Sequence, residues 1–180
     1  MKRGTAWKPP LLLGRSSFIL ASMTIDWTSL WHEVESTFRL GAYSLHGPAH
    51  WKRVERHGIE LAGRCGADVE LVRLFAVLHD SCRWSEGHDP EHGARGAELA
   101  SRLCGRHFEL DDDRLALLTH ACTWHDRGLV SEHPTVGACW DADRLDLGRV
   151  GLRPDPAFMS TDAGRLAASS NPPGRTARPR

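Results

Sequence analysis

The stretch "LFAVLHDSCRW" (Leu74–Trp84) closes an apolar run on a histidine and an aspartate side by side. Leu74, Phe75, Val77 and Leu78 read as the buried face of a helix. An unpaired imidazole or carboxylate at the end of such a helix is costly to bury, and the carboxylate is the worse case. His79 and Asp80 therefore call for a partner: a basic side chain, a helix terminus or a metal ion.

Outward from this doublet the pattern stays helical. Trp27, Leu30, Trp31 and Val34 recur at helix spacing, and a second helix is expected over about Pro48–Ala62, burying Trp51, Val54 and Ile59. Ala67–Asp80 forms the doublet helix. Pro90 suits the first turn of a fourth helix that runs to about Leu103. "DDDRLALLTHACTWH" (Asp111–His125) is a fifth, with acidic residues at its positive end. "TVGACWDADRLDLGRVGL" (Thr135–Leu152) holds a sixth. No strand alternation or internal repeat interrupts the series. The expected fold is all-α, a bundle of about six helices over residues 23–160.

The ends differ. "MKRGTAWKPPLLLGRSSFILASM" has a basic start and apolar patches, but Pro9, Pro10, Gly14 and Arg15 break it. It is too short and too interrupted for a membrane span. Residues 1–22 are expected to be a flexible extension, with Met23 an alternative start. Residues 161–180, rich in Pro, Gly, Ser and Arg towards their end, are expected to be a flexible tail.

The chain has 180 residues, enough for one domain with a sizeable core. Its 23 Lys and Arg balance 23 Asp and Glu, so bulk charge argues for neither nucleic acid nor a membrane surface as partner. Five scattered cysteines form no CxxC pair and read as free thiols of a cytoplasmic protein. Eleven histidines are many for this length, and histidine is the residue most suited to metals and to proton transfer near neutral pH.

Those histidines gather with aspartates at predicted helix ends: His46 or His50 near the second helix, His79 and Asp80, His92, His120 or His125, and Asp141 or Asp143. Imidazole and carboxylate donors suit iron, manganese, zinc, nickel or cobalt, and the absence of a thiolate cluster argues against a structural zinc knot. "HWKRV" (His50–Val54), "VLHD" (Val77–Asp80) and "DADRL" (Asp141–Leu145) resemble the H…HD…D pattern of the HD-domain superfamily of metal-dependent phosphohydrolases. The resemblance spans about Trp27–Arg153. It selects His50 over His46 and Asp143 over Asp141. "HGARGAELA" (His92–Ala100) and "ACTWHDRG" (Ala121–Gly128) look like the additional histidine motifs of the superfamily's dinuclear subset, which points to His92 and His125.

The resemblance implies an enzyme that uses one or two divalent transition-metal ions to cleave a phosphate ester or anhydride of a small phosphorylated substrate, with nucleotides the leading class. His50, His79, Asp80 and Asp143 would hold the first ion, and Asp80, His92 and His125 the second. Asp80 and Arg83 are the candidate catalytic residues, Arg83 as a phosphate contact. Many members carry a carboxylate three or four residues after the doublet. Here Arg83 and Trp84 stand there, and Glu86 is the nearest carboxylate. Two other readings share the ligand set: a di-iron oxygenase acting on a small organic substrate, and a non-catalytic nucleotide-binding module.

Overall fold

The computed structural model describes residues 25–170. The expectations for residues 1–22 and 171–180 lie outside them. Among the described residues the chain forms seven α-helices: α1 (Trp27–Thr37), α2 (Pro48–Cys65), α3 (Val69–Leu78), α4 (His92–Leu103), α5 (Asp112–Trp124), α6 (Pro134–Leu145) and α7 (Asp162–Ser170). Two 3-10 turns, Asp146–Val150 and Pro156–Phe158, follow α6. The expected all-α bundle is what is found.

Local chemistry sets the boundaries. Asp26, Asp68 and Asp111 each accept backbone N–H groups of the turn that follows, so α1, α3 and α5 all start on a carboxylate cap. Proline opens α2 and α6, where a missing N–H costs nothing. Gly66 ends α2 in the left-handed region at φ 71°, which glycine enters without a Cβ penalty.

The doublet helix α3 is the hub. It packs against α1, α2, α4, α5 and α6, and every residue from Leu74 to Leu78 is fully buried. That explains an apolar run too continuous for an amphipathic surface helix. Its C-terminal turn meets α4 backbone to backbone. A Cβ on Gly96 would stand 2.7 Å from the Leu78 carbonyl oxygen and 3.1 Å from that of His79. Gly93 is pressed in the same way against the Cys122 carbonyl at the end of α5. These two close approaches bring the starts and ends of three helices to one point.

Three expectations are corrected. Ile59 is 42 % exposed, because the apolar face of α2 runs through Trp51, Val54, Leu61 and Ala62 instead. The sixth helix stops at Leu145, and Asp146 begins a 3-10 turn. The segment from residue 161 is not a tail throughout: Asp162–Ser170 is α7, packed on α2 and α6 with Ala168 fully buried. Its anchor is Asp141. The Asp141 carboxylate accepts the Ser160 N–H at 2.7 Å, the Thr161 N–H at 2.8 Å and the Thr161 hydroxyl at 2.8 Å. No described helix is long and apolar enough to cross a membrane. All five cysteines are free; Cys122 and Cys139 are buried in the core and the other three are half-buried.

Candidate metal centre

Each selected side chain arrives from a helix end or from the wall that faces it. His50 is in the first turn of α2, His79 and Asp80 follow α3, His92 opens α4, His125 caps α5, and Asp143 lies on α6. The structure brings all six together. Asp80 sits in the middle with its two oxygens turned to opposite sides. Oδ2 lies 3.6 Å from His50 Nε2 and 3.8 Å from His79 Nε2. Oδ1 lies 3.1 Å from His92 Nε2 and 3.5 Å from His125 Nε2. Asp143 Oδ1 completes the first side, 3.3 Å from His50 Nε2 and 3.8 Å from His79 Nε2.

The imidazoles are held from behind. His79 Nδ1 donates to the Phe75 and Ala76 carbonyls, both at 3.1 Å. His92 Nδ1 donates to the Asp89 carbonyl at 2.5 Å, and His125 Nδ1 to that of Cys122 at 2.7 Å. His50 Nδ1 meets the Asp146 carboxylate at 2.7 Å. A carbonyl or carboxylate oxygen only accepts, so each Nδ1 carries a hydrogen and each Nε2, in the neutral ring, turns a lone pair inward. Those Nε2 atoms meet in pairs, His50 with His79 at 3.1 Å and His92 with His125 at 3.0 Å. Two lone pairs at that separation repel, so a proton or a cation must lie between them. Neutral imidazoles fixed through Nδ1, with carboxylates between, form a donor set that fits divalent zinc, iron, manganese, cobalt or nickel. His50–His79–Asp80, His79–His125–Asp143 and Asp80–His92–His125 are each close enough to share one ion.

The electrostatics agree. His79 is fully buried and its ring stacks on Phe75 at 4.8 Å, so desolvation drives its pKa down to about 3. Burial would lower His50 too, but bonds to the Asp143 and Asp146 carboxylates outweigh it and raise the group above the usual imidazole range. His125 behaves alike: burial is outweighed by Asp80. Burial opposes the charge on Asp80, yet the surrounding imidazoles hold its carboxyl well below the usual carboxylate range. In the absence of a cation, these directions favour a proton on His50 in one close Nε2 pair and on His125 in the other.

Several residues stand elsewhere than expected, or do more. His46, one turn before His50, was set aside in favour of it but bonds Asp80 Oδ2 through Nδ1 at 2.8 Å. Asp146 pairs with Arg53 at 2.7 Å and also orients His50. Arg83 is buried, and its guanidinium is committed inward. Nη1 donates to Asp80 Oδ1 at 3.2 Å and to His92 Nε2 at 3.1 Å. Nη2 donates to the Gly87 carbonyl at 3.0 Å. Glu86 and His88 are exposed and do not reach the cluster. His120 packs beside Trp140 and takes no part. Asp141 anchors α7. Trp84 and Trp124 are 59 % and 43 % exposed.

In front of Asp80 and Asp143 opens a cavity of about 360 Å³. Arg144, Arg149 and Arg153 stand in its wall with Asp126, Asp155 and the half-exposed Phe158. Arg144 is tied to the Phe158 and Leu129 carbonyls at 2.6 and 2.5 Å, so it holds the wall in place. Arg149 bonds the Leu45 carbonyl and lies 3.5 Å from His46. Arg153 is exposed at the rim.

The sequence model of the HD domain matches residues 49–148, which include all six converging side chains. Among curated proteins no match is found. A similar solved structure is the crystal structure of a predicted HD superfamily hydrolase from an uncultured Thermotogales bacterium. It shares 28 % identity and a TM-score of 0.63, over 79 % of this chain and 83 % of that one.

Proposed function

The chain belongs to the HD-domain family, and from that membership we propose a metal-dependent phosphohydrolase that cleaves a phosphate ester or anhydride, with nucleotides as the substrate class. One observation carries the reading: a buried carboxylate, Asp80, set between two pairs of imidazoles whose Nε2 atoms all face it. His50, His79, Asp80 and Asp143 would hold one divalent ion, and Asp80, His92 and His125 a second. Bound there, such ions supply a hydroxide near neutral pH and neutralise phosphoryl charge.

The chain's own residues do the rest. The carbonyls behind His79, His92 and His125, and Asp146 behind His50, fix each ring so that no rotamer search precedes binding. His46 bonds Asp80 from the cavity side and limits its rotation. Arg149 and Arg153 offer guanidinium donors to an anionic group at the cavity wall, beside Asp126 and Asp155. Those donors support a phosphorylated substrate over the neutral one an oxygenase of this ligand set would take. Arg83 acts on Asp80 in this geometry, and a direct phosphate contact requires it to leave that pair.

The test is elemental analysis of protein purified without chelator, followed by phosphate release from a panel of nucleotides. Asp80→Ala is expected to lose bound metal and all hydrolysis while its helical circular dichroism persists. Full metal occupancy in that variant would withdraw Asp80 as the bridge. Full occupancy in wild type with oxygen consumption and no phosphate release would move the protein to the oxygenase class.

A further inference from the structure

A second concavity, of about 450 Å³, lies on the other side of Arg83. It runs between the end of α1, the loop after the doublet and the outer face of α4. Arg39, Arg83, Arg95, Arg102 and Arg106 all line it, against the two carboxylates Glu33 and Glu98. Arg95 and Arg102 are seven positions apart and Arg106 follows four later, so they stripe one side of α4 and the turn beyond it. Seven residues advance roughly 10 Å along a helix.

Not all of this charge is spent. Arg95 is neutralised by a two-point bond from Nη2 to Asp89 at 2.7 and 2.6 Å and is tied to the Cys82 carbonyl at 3.0 Å. Arg106 shares Glu33 with His107. Arg83 faces Asp80. Arg39 and Arg102, however, make no hydrogen bond or ion pair among the described residues. Arg39 instead lies 5.4 Å from the centre of the exposed Trp84 ring, and Arg95 lies 3.9 Å from it. Stacking of this kind holds a guanidinium in place while leaving its N–H edge free.

Cations of this kind scattered singly over a surface are usually solvated and need no ligand. Here two unpaired guanidiniums share one concavity with three more. Like charges gathered in a groove are unfavourable unless an anion joins them. The planar fork of arginine matches phosphate oxygens, and guanidiniums offered from separate elements of one groove, Arg39 after α1 and Arg102 on α4, suit a chain of phosphates more than a single one.

We propose that this groove is a second anion site, separate from the metal centre, that binds a linear oligophosphate through Arg39 and Arg102, with Arg106 at its edge. A nucleoside triphosphate and free tripolyphosphate present the same recognised group. Trp84 offers the former an additional aromatic surface at one end.

The test is calorimetric titration of the full chain with inorganic tripolyphosphate at low salt. Wild type, Arg39→Glu/Arg102→Glu, the milder Arg39→Gln/Arg102→Gln and Asp143→Ala are compared, with thermal melts checking that each is folded. Asp143→Ala is expected to keep a groove-binding event of wild-type affinity, whatever it loses at the metal centre. The glutamate double variant is expected to bind at least about tenfold more weakly and the glutamine one to fall between, since charge-assisted bonds are lost and then reversed. Equal binding by wild type and the glutamate variant, or loss in Asp143→Ala alone, overturns the proposal. A parallel titration with ATP separates the sources. Equal affinity assigns the site to the phosphate chain alone, and tighter ATP binding that Trp84→Ala removes assigns it to the nucleotide. Phosphate release by the same proteins reports on the metal centre independently, so failure of the hydrolase reading and failure of this one are told apart.

Discussion

At the scale of single residues, Arg83 has the sharpest consequence. Its Nη1 occupies the space between Asp80 Oδ1 and His92 Nε2, two of the three donors on the second side of the cluster. A cation already stands where an ion would bind. Arg83→Ala is therefore expected to tighten loading of the second ion by roughly tenfold, the scale of one lost charge-assisted competitor. Stepwise metal titration followed by calorimetry measures it, and weaker loading would make Arg83 a support of the site rather than a rival. The imidazoles carry a second expectation. His50 and His125 are raised by Asp143, Asp146 and Asp80, so the folded, metal-free site keeps those protons up to its raised pKa values. The incoming ion must displace them. Affinity should climb with pH and level off once both values are passed, while His79, held to about 3, contributes no proton. Titrations on the rising part of that pH curve, in two buffers of different ionisation heat, should differ by the protons released; identical heats there would contradict the assignment. The six converging residues were legible because the short motifs around them resemble the HD-domain pattern H…HD…D and its two additional histidines. His46 and Arg83 were not, because their roles depend on where a loop side chain turns, which no spacing records.

Among the elements, α4 is where backbone geometry controls chemistry. Gly96 has no room for a Cβ, with the Leu78 and His79 carbonyl oxygens at 2.7 and 3.1 Å from where it would stand. Both neighbours are backbone and cannot swing away. Gly96→Ala should cost about 1–3 kcal/mol by forcing α4 outward. It should also carry His92 away from Asp80, so that melting temperature and the second metal equivalent fall together. An unchanged melt would show that the helix can slide. The helices themselves were readable from period and caps, because the apolar face of each is built of large side chains. α7 escaped for the opposite reason. Its buried positions are Gly164 and Ala168, which give little hydropathic signal, and its anchor is a polar one. Asp141 reads as one more candidate ligand in "DADRL" although it serves the strap. Asp141→Ala would leave the Ser160 and Thr161 N–H groups without their acceptor. That should cost about 1–3 kcal/mol and open residues 152–161 to limited proteolysis, with metal content kept. Protease resistance equal to wild type would place the anchor elsewhere.

For the whole molecule, one hub helix makes stability and site geometry a single property. α3 touches five neighbours and ends on the doublet, so the order of helices around it decides which histidines meet. Composition and periodicity announced a helical bundle but not this arrangement, which depends on the close approaches of Gly93 and Gly96 and on the Asp141 anchor. The cysteines described with the fold turn that single property into a clock. Three thiols are partly open to solvent, while Cys122 and Cys139 lie within the core, with burial holding both far above the ordinary thiol range. An alkylating reagent should reach the first three from the native state and the last two only when the bundle opens. Mass spectra taken over time would then show a jump from three labels to five, and with reagent in enough excess that labelling outpaces reclosing, the rate of that jump is the rate at which the molecule opens. Followed with and without added zinc or manganese, it would report how long a bound ion keeps the chain shut.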